Sequence, residues 1–291
     1  MSNDQFRQQF LENQRLATLY VSTWTEIHVP KSESILEIGA PRPLCESRKK
    51  WIDAICPLTE APGYDRACWA RVQERPDIVV ICTTWENRES LEAFRKSPEY
   101  AKYWGGLSTF GEPKETEIEC TNGFLSALDR KKFVATVQVL FPYPMSAERR
   151  EQVRQINGLV PRWGDQVRPR GIPGTRLPSA RPISVWAAGA QAGYGEPVEK
   201  LLWFHFWNGD EAEKKWKESG MRNPIVQGIM YPPIPAEQWF DEQIKALGAL
   251  EWTEEHYGEF FGVPNRFNGE PSLGRFLRNG ILPAHLFRDR T

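Results

Sequence analysis

The sequence predicts an α+β fold built from two βαββαβ units with antiparallel sheets. In two segments, 79–100 and 202–220, an apolar strand ends in tryptophan and an amphipathic helix follows. An aromatic residue comes nine positions after that tryptophan in both segments, and a serine three positions later. The matching positions are Trp85 and Trp207, Phe94 and Trp216, and Ser97 and Ser219. The shared spacing indicates a duplicated unit.

The first unit is predicted over residues 17–121, after a peripheral helix within 1–16. Its first strand, 17–29, has an apolar face, which we expect to pack against helices. The other face mixes aromatic and titratable side chains, as a ligand pocket would: Tyr20, Ser22, Trp24, Glu26 and His28. The further predicted elements are a helix at 44–55, strands at 67–72 and 78–84, a helix from 86 or 87 to 96, and a strand at 114–121. Proline cannot continue a helix, so that second helix ends at Ser97-Pro98.

The second unit is predicted over residues 133–260, after a connector at 122–132. Its predicted elements are a strand at 133–141, a helix at 147–158, strands at 182–189 and 200–207, helices at 210–219 and 236–247, and a strand at 250–260. A long loop, 160–181, contains five arginines, which either collect an anionic ligand or solvate the loop. The tail, 261–291, is rich in Gly, Asn, Pro and Arg and is expected to wrap around the body.

The overall composition excludes several classes of protein. A net charge of -1 gives no electrostatic footprint for nucleic acid or an anionic membrane. The longest largely apolar run, 201–207, is too short to span a bilayer, and the N-terminus lacks the apolar core of a signal peptide. Five cysteines without CxxC spacing disfavour a disulfide framework and a zinc site. We therefore expect a soluble cytoplasmic protein, monomeric or homodimeric.

Two segments of the first unit, WENRES at the end of its third strand and FRKSPEY at the end of its second helix, resemble the dimeric α+β barrel superfamily. The nearest branch is that of the antibiotic-biosynthesis-monooxygenase-like (ABM-like) proteins, with their EthD-like and stress-responsive A/B-barrel relatives. The residues that match the pattern are Trp85, Phe94, Ser97, Pro98 and Tyr100. In the second unit Gly220 replaces the proline. The resemblance implies two ferredoxin-like repeats that close one barrel within a single chain, with a cavity between the sheet faces that helices do not cover.

Members of this superfamily share a fold but act as cofactor-free monooxygenases, cyclases, decarboxylases, lyases or heme enzymes, so the chemistry has to be argued from residues. No GxGxxG, Walker or GxSxG segment indicates a nucleotide cofactor or a serine nucleophile. Twelve tryptophans favour a flat apolar ligand. The candidate catalytic residues are His205, His28, Glu26 and His256, and the candidate substrate-binding residues are Tyr20, Trp24, Gln138, Trp186, Trp203, Trp207 and Trp252.

The histidines are chosen as candidates because the pKa of an imidazole lies near neutrality. His205 shares a strand face with Trp203 and Trp207, and His256 shares one with Trp252 and Glu254. If those faces line the cavity, the histidines can move protons. The alternative for each is a plain structural hydrogen bond at a strand end. His285, in the tail, is a weaker candidate, and without HxH or HxxxH spacing we expect no metal site.

The sequence thus favours a cofactor-independent acid/base enzyme of specialised metabolism that acts on a hydrophobic aromatic or polyketide-derived small molecule. Its reaction would be that of a monooxygenase, cyclase, dehydratase or decarboxylase. One alternative is a heme enzyme that resembles aldoxime dehydratases or chlorite dismutases, with a histidine as axial ligand. Another is a protein that binds a small molecule without turnover. A third is a structural role, with the barrel interior filled by its own side chains.

Overall fold

The computed structural model describes residues 20–33, 35, 46–119, 128, 133–160, 180–193, 195–218 and 234–263. Within this part of the chain there are two compact units. Unit 1 contains the described residues from 20 to 128 together with 260–263, and unit 2 contains those from 133 to 259. The predicted helix within 1–16, the connector apart from residue 128, residues 161–179 of the long loop and residues 264–291 of the tail lie outside the described residues.

Helices and antiparallel strands are interspersed along the chain, which confirms the predicted α+β class. The elements in chain order are β1 (Val21–His28), α1 (Glu46–Ile55), β2 (Tyr64–Arg71), β3 (Ile78–Trp85), α2 (Arg88–Arg95), α3 (Pro98–Ser108), β4 (Lys114–Glu119), β5 (Val134–Pro142), α4 (Ala147–Ile156), β6 (Ala180–Ala187), β7 (Gln191–Gly193), β8 (Glu196–Phe206), α5 (Asp210–Glu218), α6 (Ala236–Ala246), β9 (Glu251–Tyr257) and β10 (Phe261–Val263). None of these helices has the length and apolar character needed to cross a membrane.

In unit 1 the strand order is β10-β2-β3-β1-β4, and the paired strands are antiparallel. The apolar face of β1, represented by Ile27, packs with helix residues such as Trp51 and Phe94 in one core. This confirms that the apolar face meets the helices. On the opposite face Trp24 is buried, and the Ser22 hydroxyl lies 2.8 Å from the Thr84 hydroxyl.

In unit 2 the strand order is β6-β8-β5-β9, and β7 pairs with β8. One face of this sheet packs against α4 and α6, where Val137, Leu201 and Trp203 meet Val153 and Phe240. Amphipathic helices cover this face because their apolar stripe has to be buried against another element.

The structure differs from the sequence prediction at two elements of unit 1. A separate helix, α3, begins at Pro98, because proline is well suited to the first position of a helix although it cannot continue one. The Ser97 hydroxyl accepts a hydrogen bond from the Tyr100 N–H at 3.2 Å and caps this helix. The start of the predicted tail forms β10, which pairs with β2 in unit 1.

The strand face that carries His205 packs against helices, so it does not meet the condition set in the sequence analysis, that this face lines the helix-free cavity. Trp203 and Trp207 pack in the helix-side core, and Trp186 and Trp252 do likewise. The opposite face of β8 carries Leu202, Phe204 and Phe206, which are also buried. Because both faces of β8 are apolar, its alternation did not indicate which face the helices would cover.

Candidate active site

Four titratable side chains of unit 2 gather where α5 meets β9. Glu213 and Lys217 are four positions apart on α5, so they lie on one side of that helix. Glu254 and His256 are two positions apart on β9, so they lie on one face of that strand. We call Glu213, Lys217, Glu254 and His256 the acid-base cluster.

Short contacts connect the members of the acid-base cluster. His256 Nε2 lies 2.9 Å from Glu213 Oε1. Lys217 Nζ lies 2.9 Å from Glu213 Oε1 and 2.5 Å from Glu254 Oε2. Glu237 of α6 adds a longer contact to Lys217 at 3.3 Å. The lysine ammonium therefore bridges the two carboxyl groups of the cluster, and Glu213 also contacts the imidazole.

Partial burial separates the proton affinities within the acid-base cluster. Burial is the largest cause that raises the pKa of Glu254, against the opposing charge of Lys217. Burial also acts to raise the pKa of Glu213, but hydrogen bonds from His256 and Lys217 outweigh it, and that pKa is lowered. Burial acts to lower the pKa of Lys217, but the two carboxylates outweigh it and raise that pKa. Two carboxyl groups with divergent pKa values are typical of acid/base sites.

His256 is the most accessible member, with 29% of its side chain exposed, compared with 9% for Glu213 and 12% for Glu254. An imidazole held by a carboxylate and reachable from solvent can exchange protons with a bound molecule. The arrangement is therefore chemically suited to general acid/base catalysis at His256.

An aromatic cluster lies beside these groups. Trp207 and Trp216 pack with Ala135 and other small apolar residues, with 6.4 Å between the two indole centroids. Ala135 is the cross-strand partner of both His205 and His256. The small side chain of Ala135 therefore lies between the two histidines on the helix side of the sheet.

His205 has the properties of a structural histidine. Its side chain is fully buried and stacks on Trp207 with the ring planes 9° apart. Its Nε2 accepts a hydrogen bond from the Leu159 N–H at 3.0 Å, so the ring is neutral with its proton on Nδ1. Burial lowers the pKa of His205 to about 3. These observations favour the structural alternative for His205 over contact with a substrate.

Of the sequence-predicted residues, His256 belongs to the acid-base cluster, and His205 and Trp207 lie beside it on the same face of the sheet. Trp203 and Trp252 lie farther along the same face, where both pack against Phe240. Trp186 lies next to Phe141, with the Arg150 guanidinium over its ring.

The remaining predicted residues lie elsewhere. Gln138 is on the opposite face of the unit 2 sheet and donates a hydrogen bond to Glu255 at 2.9 Å. In unit 1, Glu26 pairs with Arg75 at 3.4 Å and His28 is exposed at the end of β1. Tyr20 is half-buried and Trp24 is buried in the same unit.

The sequence-based selection missed Glu213, Lys217 and Glu254 as site residues. Two signals were available. Glu254 precedes His256 by two positions on a predicted strand, and Glu213 precedes Lys217 by four on a predicted helix. Only the three-dimensional packing of α5 against β9 shows that these two pairs of residues form one site.

Three donors of the acid-base cluster could hold a metal ion, since the ligand atoms of Glu213, Glu254 and His256 lie within 4.8 Å of one another. In the structure Lys217 already supplies a positive charge to both carboxyl groups. A heme does not fit the two histidines of this face. Each uses Nε2 in a hydrogen bond, His205 with Leu159 and His256 with Glu213, so neither presents that nitrogen to an iron.

The fold and the site define an α+β protein with a half-buried acid/base constellation on the helix side of a sheet. Residues 48–104 match the family model described as "Antibiotic biosynthesis monooxygenase". This part of unit 1 is an ABM-like domain. It contains the WENRES and FRKSPEY segments, which resemble the dimeric α+β barrel superfamily to which ABM-like proteins belong. The match supports an oxygenase-type function on small molecules. No curated protein matches the sequence.

Several solved structures are similar to the chain at low identity. An anthrone oxidase-like protein is 12% identical, with 86% of this chain and 94% of that chain covered and a TM-score of 0.49. A candidate monooxygenase from Lactobacillus acidophilus is 7% identical, with 83% and 94% covered and a TM-score of 0.43. A heme-binding protein from Thermus thermophilus is 10% identical, with 83% and 91% covered and a TM-score of 0.37. At these scores the similarities carry no argument about chemistry.

Proposed function

We propose that the protein is a cofactor-independent oxygenase of specialised metabolism whose acid-base cluster acts on a flat, hydrophobic aromatic or polyketide-derived molecule. The single observation that carries the proposal is the 2.9 Å contact between His256 Nε2 and Glu213 Oε1 in a half-buried cluster. The family match of unit 1 to antibiotic biosynthesis monooxygenases supports the oxygenase class. The buried Trp207 and Trp216 give the cluster an apolar boundary, which favours a hydrophobic ligand at its exposed side.

In the proposed reaction, His256 takes a proton from an acidic C–H group of the substrate, and the Glu213 carboxylate stabilises the resulting imidazolium. The carbanion reduces dioxygen, and a new C–O bond gives a hydroperoxide after the proton is returned. His256 then removes the second C–H proton as the O–O bond breaks, and this proton passes to the departing hydroxide to form water. A CH₂ group and dioxygen thereby become a carbonyl group and water.

Anthrone is a suitable probe because it is flat and aromatic and has an acidic CH₂ group. Oxygen uptake and quinone formation would be measured together, with wild-type turnover above the uncatalysed rate expected. We expect His256→Gln to lower kcat by about 100-fold, the low end for loss of a general base. Glu213→Gln should lower it by about tenfold through loss of the ionic partner. Glu211→Gln is the matched control, because Glu211 is an exposed residue of the same helix.

The same preparation distinguishes the alternatives. A Soret band in the visible spectrum of the purified protein would favour the heme enzyme. Tight anthrone binding without oxygen uptake would favour a protein that binds its ligand without turnover. Full turnover by a folded His256→Gln protein would contradict the proposed role of His256.

A further inference from the structure

The main chain of Leu159 is held from both sides in the core of unit 2. Its N–H donates to His205 Nε2 of β8 at 3.0 Å, and its C=O accepts from Trp216 Nε1 of α5 at 3.0 Å. His205 and Leu159 are 0% exposed and Trp216 is 3% exposed. Because no water can replace a buried partner, each of these hydrogen bonds is expensive to break. We call His205, Leu159 and Trp216 the Leu159 clamp.

The loop that presents Leu159 is shaped to reach His205. Gly158 has φ +66°, and a Cβ atom there would lie 2.4 Å from His205 Nε2. A glycine is therefore required for the imidazole to approach this close. Asn157 ends α4 in the left-handed conformation, and its side chain donates to the Val160 C=O. These features hold the loop in one conformation. The Leu159 clamp therefore connects β8 to α5 through a rigid loop.

Trp216, the member of the Leu159 clamp that belongs to α5, lies among the residues of the acid-base cluster. Trp216 follows Glu213 by three positions and directly precedes Lys217 on α5. A rotation or slide of α5 would move both side chains relative to β9, and catalytic geometry is sensitive to shifts of about 1 Å.

We infer that His205 is a positioning residue: through Leu159 and Trp216 it sets α5 so that Glu213 and Lys217 meet His256 and Glu254. The catalytic meaning of this inference rests on the proposed function, but the geometry can be tested without a substrate.

The test uses NMR of protein with isotope-labelled histidine. The His256 imidazole signals, assigned by comparison with His256→Gln, report its hydrogen bond to Glu213. We expect His205→Leu to remove the imidazole signal of His256 that reports its hydrogen bond to Glu213. The hydrogen of the Leu159 amide should exchange with solvent at least about tenfold faster. His205→Gln supplies a side-chain oxygen acceptor for the Leu159 N–H and should restore both. A folded His205→Leu protein with wild-type His256 signals would overturn the inference.

A second pair of variants covers the case in which His205→Leu does not fold. Trp216→Phe removes the indole donor and should change the His256 signals. Trp51→Phe is its matched control, because Trp51 is also a buried helix residue but its indole N–H has no hydrogen-bond partner among the described residues. Unchanged His256 signals in Trp216→Phe would also contradict the inference.

Glycine variants test the close approach itself. Gly158→Ala and Gly195→Ala both place a side chain at positive φ, but a Cβ at Gly195 meets nothing within 4 Å. Only Gly158→Ala should disturb the His256 signals, and equal effects of the two would count against the inference. If the NMR results hold while anthrone and related probes are not turned over, the proposed function fails and the Leu159 clamp stands.

Discussion

At the scale of single residues, the partners of a buried titratable group distinguish a structural role from a chemical one. Glu199 is 1% exposed and accepts hydrogen bonds from the Met145 N–H and from Arg150, each at 2.7 Å. His205 is held by a main-chain donor, the Leu159 N–H. His256 instead shares its hydrogen bond with Glu213, a second titratable group. The Leu159 N–H holds the His205 ring in its neutral form, whereas a titratable partner allows the proton to move.

The buried neutral state of His205 predicts a pH dependence of stability. Its pKa in the folded chain is about 3, below its ordinary value of 6.5. Between these values the unfolded chain binds a proton that the folded chain does not, so the free energy of unfolding falls as pH falls. The contribution is fully present above pH 6.5. It is lost at up to about 1.4 kcal/mol per pH unit below that value.

Urea unfolding at about pH 7 and about pH 5 would measure this contribution, since the unfolded state begins to take up its proton within that window. The stability of wild type relative to His205→Gln should decrease at the lower pH. A constant difference between the two proteins would show that the His205 ring is not held neutral in the folded state.

At the scale of elements, one serine separates two helices of unit 1. The Ser97 hydroxyl donates to the Phe94 C=O at 2.7 Å, at the end of α2. The same oxygen accepts from the Tyr100 N–H at the start of α3. Phe94, Tyr100 and Tyr103 then pack against one another. The angle between the two helices is thus fixed by one side chain and by the aromatic residues around it.

Ser97→Ala is expected to lower the free energy of unfolding by about 1 kcal/mol, the usual cost of losing an N-cap. Ser108→Ala is the matched control on α3, because the Ser108 hydroxyl donates to the Trp104 C=O within the helix and caps nothing at its start. Urea unfolding of both variants is the measurement. Equal effects would mean that the Ser97 cap contributes no more than an ordinary helical serine.

At the scale of the whole molecule, the sheet of unit 1 is completed by residues that follow unit 2 in the sequence. Phe261 of β10 packs on Trp69 with 5.6 Å between ring centroids. The Tyr64 hydroxyl donates to the Val263 C=O at 2.9 Å. The edge of β2 is therefore covered by a strand from the far end of the described chain, so the stability of unit 1 depends on residues beyond unit 2.

Phe261→Ala should destabilise unit 1 by about 3 kcal/mol, since it removes a buried aromatic side chain. Hydrogen exchange should show faster exchange in β2 and β3 than in wild type, with β5 and β8 unchanged. Phe133→Ala is the control, because 40% of Phe133 is exposed. Equal loss of protection in both units would argue against a local role for β10.

The sequence by itself determined the repeated α+β pattern, the antiparallel strands and the helix-packed face of β1, because periodicity and proline act locally. It also placed His256 among the candidate catalytic residues, a role that stays a prediction. Tertiary structure decided which face of β8 the helices cover, because Trp203 and Leu202 are equally apolar neighbours. It also decided that Glu213 meets His256 across 43 positions of sequence. No local sequence pattern predicts that contact, since it depends on how a helix packs on a strand.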